Sequence, residues 1–252
     1  MKSGDFTNLA YYYGKSRPGY SDMVLDTLLA VQLTDKKDLQ VCDLGAGTGI
    51  WTRQLVSKLI KPVFAVEPNE QMLSEGMKNS ENVIWSKGSA EKTNLQNSYF
   101  HWVTMASSFH WADFDMALDE ISRILQSGGC FTALWNPRVI SINSKLNTIE
   151  EWIKARTKKP RISSGNSEFT QNLESNFKKR KDFRNFLYVE SDHSRTISKE
   201  EYINAWKSVN DIRVSLGEVE FKNLIGLIDN LFEDNEMILN DYKTKSWSIF
   251  KR

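Results

Sequence analysis

Val41-Cys42-Asp43-Leu44-Gly45-Ala46-Gly47-Thr48-Gly49 is the stretch whose reading decides the fold. A short apolar run ends in an acid and a leucine, and glycines then stand at every second position before Ile50 to Leu59 takes up helical spacing, with Trp51, Leu55 and Leu59 on one side. The segment reads as strand, tight turn and helix, with glycine where the backbone must turn sharply and lie bare to a ligand. A dinucleotide fingerprint requires G-x-G-x-x-G at this point, with the helix N-terminus facing a pyrophosphate. Here the run is G-x-G-x-G, and Asp43 precedes it. A carboxylate there opposes a pyrophosphate and suits a ligand that carries an ammonium group.

Working outward, Leu39–Leu44 is the first expected strand, and Pro62–Val66 is a second buried run ending at Glu67-Pro68. Asn69 is placed to cap a helix carrying Met72, Leu73 and Met77. Val83–Trp85 is a third strand, and His101–Ala106 a fourth. A helix from about Asp113 to Leu125 follows; Gly128-Gly129 is expected to stop it, and Cys130–Trp135 is a fifth strand. Strands alternating with amphipathic helices predict an α/β, doubly wound sheet. Glu67 then falls at the end of the second strand, 24 residues beyond Asp43, where it can accept hydrogen bonds from ribose hydroxyls. Glycines alone mark only a turn; Asp43 before them and Glu67 after them in matching strand positions single this turn out.

The second half is less regular. Ile142–Thr157 is an expected helix, Phe183–Val189 a strand, Lys199–Val209 and Leu216–Phe232 helices, and Tyr242–Phe250 a terminal strand. Between them, ten basic residues (Lys154, Arg156, Lys158, Lys159, Arg161, Lys178, Lys179, Arg180, Lys181 and Arg184) outnumber five acidic ones over 151–190. The expected organisation is a single domain over 1–252: a helical cap over 1–35, a cofactor-binding core over 36–136, a substrate or lid region over 137–215, and a final helix and strand over 216–252.

Composition excludes several classes. The chain has 252 residues and a net charge of +1, so no global field gathers nucleic acid or an anionic membrane. Cys42 and Cys130 make no disulfide framework, and His101, His110 and His193 have no zinc spacing, so no metal is expected. The opening residues lack an apolar signal region and no run approaches a membrane span, which predicts a cytoplasmic setting without membrane contact. Eight Trp, 13 Phe and 8 Tyr are a large aromatic load. Trp51, Trp85, Trp102 and Trp247 fall on expected core positions, Trp111 and Trp135 at the active edge, and Trp152 and Trp206 on helices that could cover it.

Asp43–Gly49, Ala65-Val66-Glu67-Pro68-Asn69-Glu70-Gln71-Met72-Leu73 and Gly88-Ser89-Ala90-Glu91 together resemble, in order and spacing, the motifs of class I S-adenosylmethionine-dependent methyltransferases. The resemblance covers about residues 8–136. Ala10 to Tyr20 and Phe109-His110-Trp111 further resemble the small-molecule branch that includes trans-aconitate and quinone methyltransferases. The resemblance implies a seven-stranded Rossmann-like sheet of order 3-2-1-4-5-7-6, the last strand antiparallel, with an N-terminal helical cap and an insertion after strand 5.

The resemblance also implies S-adenosylmethionine as cofactor. Gly45, Ala46 and Gly47 would pack against its methionine and ribose portions, with Asp43 near the amino group and Glu67 on the ribose. Pro68 and Met72 would flank the adenine, Ala90 would offer a backbone amide and Glu91 would accept from the exocyclic amine. Ser107 would face the methionine part, and Tyr13 and Arg17 would contact its carboxylate or roof the site. The acceptor side is assigned to Tyr12, Phe109, His110, Trp111, Trp135 and Asn136. His110 is the candidate general base, its ordinary pKa lying near neutrality; the alternative is a loop hydrogen bond. Ala106-Ser107-Ser108-Phe109 replaces the Asn/Asp-Pro-Pro-aromatic tetrad of enzymes that methylate planar nitrogens, which disfavours such acceptors. The expected partner is a small-molecule methyl acceptor, the expected assembly a monomer or homodimer, and nucleic acid is disfavoured. Two rival readings are an RNA or protein methyltransferase docking through the basic 154–184 segment, and a non-catalytic cofactor-binding scaffold, against which the intact Asp43, Gly45, Gly47 and Glu67 argue.

Overall fold

A computed structural model of the chain describes residues 17–59, 61–141, 144–157 and 165–252. Helix α1 (Asp22–Ala30) precedes β1 (Val41–Leu44), α2 (Ile50–Lys58), β2 (Val63–Val66), α3 (Glu70–Lys78), β3 (Val83–Ser86) and β4 (Phe100–Ala106). After a 3-10 turn at Phe109–Trp111 come α4 (Phe114–Ile124), β5 (Leu125–Trp135), β6 (Arg138–Val139), α5 (Lys145–Lys154), α6 (Glu168–Gln171) and α7 (Leu173–Lys179). The chain then forms β7 (Phe183–Ser198), α8 (Lys199–Lys207), α9 (Asn210–Leu231) and β8 (Met237–Lys251).

The strands make one mixed sheet of order β3-β2-β1-β4-β5-β8-β6, with β7 also paired to β8. Strands β1 to β5 are parallel and β8 runs antiparallel to β5, β6 and β7. This is the α/β, Rossmann-like arrangement the sequence predicts, with β6 as an addition. Central strands bury both faces, so side chains alternate between two cores. Phe131, Ala133 and Trp135 of β5 join α4 and Phe109 on one face. Cys130 and Leu134 join α1, Trp51 and Trp102 on the other. A third cluster unites α5, α8 and α9 with Ile197 and Ile238 of the β7–β8 ladder.

Several boundaries differ from expectation. Strand β5 begins at Leu125 directly after α4, and Gly128 (φ +79°) sits inside it instead of ending the helix. The expected helix over 142–157 is narrower, Lys145–Lys154, started by the Ser144 side chain on the Asn147 N–H. The helix expected from Leu216 begins at Asn210 and is interrupted at Gly217 (φ +77°), where the backbone leaves helical geometry. Strands β7 and β8 extend well beyond 183–189 and 242–250 because a polar stretch of each supplies the backbone partners of the other, from Ser191↔Thr244 to Ser198↔Met237. Among the described residues no helix is long and apolar enough to cross a membrane.

The tryptophans also sort by burial. Trp51, Trp102, Trp135, Trp206 and Trp247 are all buried, whereas Trp111 is exposed. A buried indole N–H usually finds a hydrogen-bond acceptor. Trp51 Nε1 donates to Thr104 Oγ1 (3.1 Å), and Trp102 Nε1 to Thr132 Oγ1 (2.9 Å).

Candidate active site

The turn after β1 is held by backbone geometry that favours glycine. Gly45, Gly47 and Gly49 have φ of +63°, +59° and +80°, the left-handed region where a Cβ is strained. The Gly45 and Ala46 N–H groups both donate to the Val66 carbonyl, at 2.8 and 3.1 Å, which fastens the loop to the end of β2. A Cβ on Gly45 would stand 2.7 Å from that of Ser108, whose hydroxyl donates to the Leu44 carbonyl (3.0 Å). The loop thus lies tight against the β4 end.

Glu67, expected on ribose, is buried at the loop's edge with 6% exposure. Its carboxylate accepts from the Gly47 N–H (2.8 Å) and the Asn69 N–H (2.9 Å). Burial pushes its pKa up, partly offset by those two bonds. Met72, carried on α3 by the Asn69 cap, is buried, and its sulfur would lie 3.6 Å from a Cβ on Gly47. Ala90 is buried and Pro68 exposed on either side of the same edge. Glu91 accepts from the Asp113 N–H (2.9 Å), so its carboxylate also starts α4.

Asp43 is placed differently from its neighbours. It points into the α2 side of the sheet, fully buried, and accepts from Thr52 Oγ1 (2.6 Å) and Thr104 Oγ1 (3.2 Å). Burial pushes its pKa up to about 7, with the two threonine bonds opposing and Glu67 adding to the rise. Its visible work is to lock the start of α2 against β1 and β4.

At the end of β4, Ser107 holds φ +55°, a strained conformation for a non-glycine residue. Its hydroxyl lies 2.9 Å from the Tyr20 hydroxyl. Tyr20 is a residue the sequence reading passed over. Its ring meets Trp51 edge-on at 5.2 Å, and its backbone exchanges two hydrogen bonds with the Gln54 side chain. The segment 17–20 therefore straps the carboxyl edge of the sheet to α2; the only sequence signal was the Tyr-rich opening and the Pro18-Gly19 turn. Tyr12 and Tyr13, expected on this edge, lie outside the described residues. Arg17 donates through Nε to Ser208 Oγ (3.1 Å), toward the α8 end.

The aromatic wall divides. Phe109 is fully buried among Phe114, Phe131, Phe169 and Phe177, with ring centroids 5.2–6.2 Å away, so it anchors the 3-10 turn from inside. Trp111 is 53% exposed beside His110, ring to ring 4.6 Å. Trp135 donates from Nε1 to His110 Nδ1 (3.2 Å). Because Nδ1 is the acceptor, a neutral His110 carries its proton on Nε2 and presents a donor there. Asn136 is committed within the fold: its Nδ2 donates to the Gly19 carbonyl (2.9 Å) and its Oδ1 accepts from Thr244 Oγ1 (2.9 Å) and meets His193 Nε2 (2.8 Å).

The Lys178–Arg184 part of the basic segment lies at the other end of the sheet. Trp135 pairs with Lys245 at the carboxyl end of β5, whereas Phe183 pairs with Lys251, beyond the Cys130↔Phe250 pair. Lys178 to Arg184 thus sit at the amino edge, opposite the glycine loop. Arg180 is engaged by Asp182 (2.9 Å), Asp119 (2.6 Å) and Asp115 (3.4 Å), and Lys178 by Glu174. Arg156 stacks over Trp152 at 4.1 Å and pairs with Glu220. Lys158, Lys159 and Arg161 lie outside the described residues.

Comparison with known proteins bears on the segment that carries the glycine loop. Residues 41–129 match the methyltransferase domain family. This part of the chain is similar to methyltransferase domains. The domain is 33% identical over 126 residues to an uncharacterized methyltransferase of Mycobacterium tuberculosis, a match covering 50% of this chain and 49% of the relative. The matched segment spans about half the length of such curated relatives. Among solved structures, a protein described as a type II methyltransferase from Anaeromyxobacter dehalogenans superposes with a TM-score of 0.65 at 16% identity, over 92% of this chain and 97% of the other. A phosphoethanolamine N-methyltransferase from Haemonchus contortus superposes with a TM-score of 0.53 at 15% identity, over 96% of this chain and 55% of the other. At these identities the likeness is one of fold. The methyltransferase domain's glycine loop, Glu67 and Met72 all lie within the matched 41–129 segment, whereas Asn136, His193 and the strap lie outside it.

Proposed function

We propose that this protein transfers a methyl group from S-adenosylmethionine to a small-molecule acceptor. The observation that carries the reading is the glycine loop at the carboxyl edge, with the buried Glu67 carboxylate on the Gly47 N–H and Met72 behind it. A side chain at Gly47 would stand beside Met72 at the mouth of this loop, and Thr48 Oγ1 is buried with no hydrogen-bond partner among the described residues. These features fit the cofactor. Gly45, Ala46 and Gly47 would hold its methionine and ribose portions, Glu67 the ribose hydroxyls, Pro68 and Met72 the adenine faces, and Ala90 and Glu91 the adenine edge. When bound, S-adenosylmethionine supplies an electrophilic sulfonium methyl, which bonds to an acceptor atom while sulfur keeps the electron pair and the acceptor gives up a proton.

The chain's own contribution is alignment and exclusion of water. Holding the reacting partners in line supplies about 7–11 kcal/mol in favourable cases, so a protein base is optional. Ser107, Tyr20 and His110 line the edge where the acceptor approaches. His110 serves as a hydrogen-bond donor through Nε2 as long as Trp135 holds Nδ1. The position of Lys178–Arg184 at the opposite edge favours a small molecule over an RNA docked through that cluster.

Titration calorimetry with S-adenosylhomocysteine tests the reading. Wild type should bind at micromolar affinity. Glu67→Ala removes a charged acceptor of two hydrogen bonds and should weaken binding about tenfold to a hundredfold. A wild type that fails to bind sinks the proposal.

A further inference from the structure

One end of the cofactor lacks the partner that the sequence expects for it. Asp43, expected at the ammonium group, is fully buried, with one carboxylate oxygen on Thr52 Oγ1 (2.6 Å) and the other on Thr104 Oγ1 (3.2 Å). Burial also pushes its pKa up to about 7, which keeps part of its charge off at neutral pH. A sealed carboxylate bonded through both oxygens offers little to a ligand at the carboxyl edge. Several carbonyls around the glycine loop are spent as well: Leu44 on the Ser108 hydroxyl (3.0 Å), Val66 on two loop N–H groups, Ala46 on the Gly49 N–H (2.9 Å) and Thr48 on Arg53 (2.7 Å). An ammonium takes acceptors and a carboxylate takes donors. The α-amino-acid end of the cofactor needs both.

Two hydroxyls meet at that edge, on residues that are half-buried where Asp43 is sealed. Ser107 follows β4 directly, with its N–H on the Leu134 carbonyl (2.8 Å) and its φ at +55°, a strained value of the kind that collects at ligand sites. The next residue, Ser108, is the one packed against Gly45, so Ser107 stands beside the glycine loop. Tyr20 is brought to it by the strap. Its ring lies edge-on to Trp51, its main chain exchanges two bonds with the Gln54 side chain, the Gly19 carbonyl accepts from Asn136 Nδ2, and the Ser21 N–H donates to Thr244 Oγ1 (2.8 Å). None of these contacts uses the phenol oxygen, which lies 2.9 Å from Ser107 Oγ across a sequence separation of 87 residues. Ring and backbone thus carry the strap, and the oxygen is delivered to Ser107. In a hydroxyl pair the oxygens carry two protons and more lone pairs than one mutual bond consumes, so the pair can accept from an ammonium and donate to a carboxylate. An α-amino acid presents those two groups on one carbon.

We propose that the Tyr20–Ser107 hydroxyl pair binds the α-amino-acid end of the cofactor, in the place expected of Asp43. The inference rests on the methyl-transfer reading and gives that end of the site to the strap. The test uses the full chain and two probes, S-adenosylhomocysteine and 5′-methylthioadenosine, which share the adenosine and the thioether and differ in the amino-acid end. Affinities are read by competition calorimetry, which ranks weak binders and requires no methyl acceptor. Tyr20→Phe deletes one oxygen and keeps the ring on Trp51 and both Gln54 bonds. It should weaken S-adenosylhomocysteine about tenfold or more while methylthioadenosine binds as it does to wild type. Ser107→Ala should do the same, and the double variant should lose less than the two single losses combined, because the hydroxyls act as a unit; Tyr20→Phe decides alone if the serine variant fails to fold. Unchanged S-adenosylhomocysteine affinity in Tyr20→Phe overturns the inference, as does an equal loss for both probes, which is what a merely structural tyrosine would give. A loss confined to S-adenosylhomocysteine in Asp43→Asn and absent from Tyr20→Phe would return the ammonium to Asp43. Failure of wild type to bind S-adenosylhomocysteine would instead sink the methyl-transfer reading beneath it.

Discussion

Gly45→Ala isolates the feature on which the site depends. Two costs are readable at this position. The backbone angle of +63° is strained for alanine, worth about 1–2 kcal/mol. The new Cβ would also lie 2.7 Å from Ser108 Cβ and 2.8 Å from its Oγ, closer than any ordinary contact, so Ser108 must move. Moving it gives up the hydroxyl's bond to the Leu44 carbonyl at 3.0 Å, about 1 kcal/mol. The total is about 2–3 kcal/mol of stability. Gly47→Ala is the matched control: φ is +59°, but its Cβ would meet only the Met72 sulfur at 3.6 Å, an ordinary contact. It should lose only the conformational part, about 1–2 kcal/mol. Urea unfolding followed by tryptophan fluorescence measures both. The double variant Gly45→Ala/Ser108→Gly should recover about 1 kcal/mol or more relative to the sum of its single changes, because the overlap is gone. If Gly45→Ala costs no more than Gly47→Ala, or if the double variant is simply additive, the close approach of loop and β4 end is not what holds this turn.

Two further expectations concern titratable groups. Asp43 holds its proton more tightly in the folded state, at about 7, than at its ordinary value of 3.8. The folded state therefore binds more protons between those limits, and stability contributed by this group falls as pH rises from about 4 to 7 and then levels off, by about 2–4 kcal/mol. Urea unfolding at pH 5 and pH 8 should show this slope reduced in Asp43→Asn; an unchanged slope would remove Asp43 from the account. For His110, the Trp135 bond to Nδ1 leaves a donor at Nε2, so His110→Ala, once an acceptor is in hand, should raise KM while the shape of the kcat–pH profile stays the same. Loss of a limb of that profile in this variant would restore His110 as a base.

Much of the sheet was legible from the residues. Parallel strands buried on both faces read as apolar runs, and β1, β2, β4 and the end of β5 were found because Val41, Val63, Val103 and Phe131 lie in such runs. The polar halves of β7 and β8 were not legible. Residues such as Glu190, Asp192, Asn240 and Asp241 carry no apolar period, and their strands exist because each supplies the other's backbone partners. Strand β6 escaped notice for the same reason, being two residues held by Asp241 and Tyr242. At the site, Glu67 and Met72 stand where their positions after β2 implied, but Phe109 and Asn136 are spent on packing and on a hydrogen-bonded junction.

By itself, then, the sequence determined the strand–turn–helix with its three glycines, the acid at the end of β2 and the methyltransferase-like motifs of residues 41–129. Each of these is local: a left-handed turn demands glycine within a few residues of the strand it ends. What faces what across the carboxyl edge was left to the tertiary structure. Tyr242 opposite Arg138, Tyr20 on Ser107 and the Trp135 indole on His110 join residues 25 to 104 positions apart. No period or spacing encodes such pairings; they follow from strand order and register, which only the assembled sheet fixes.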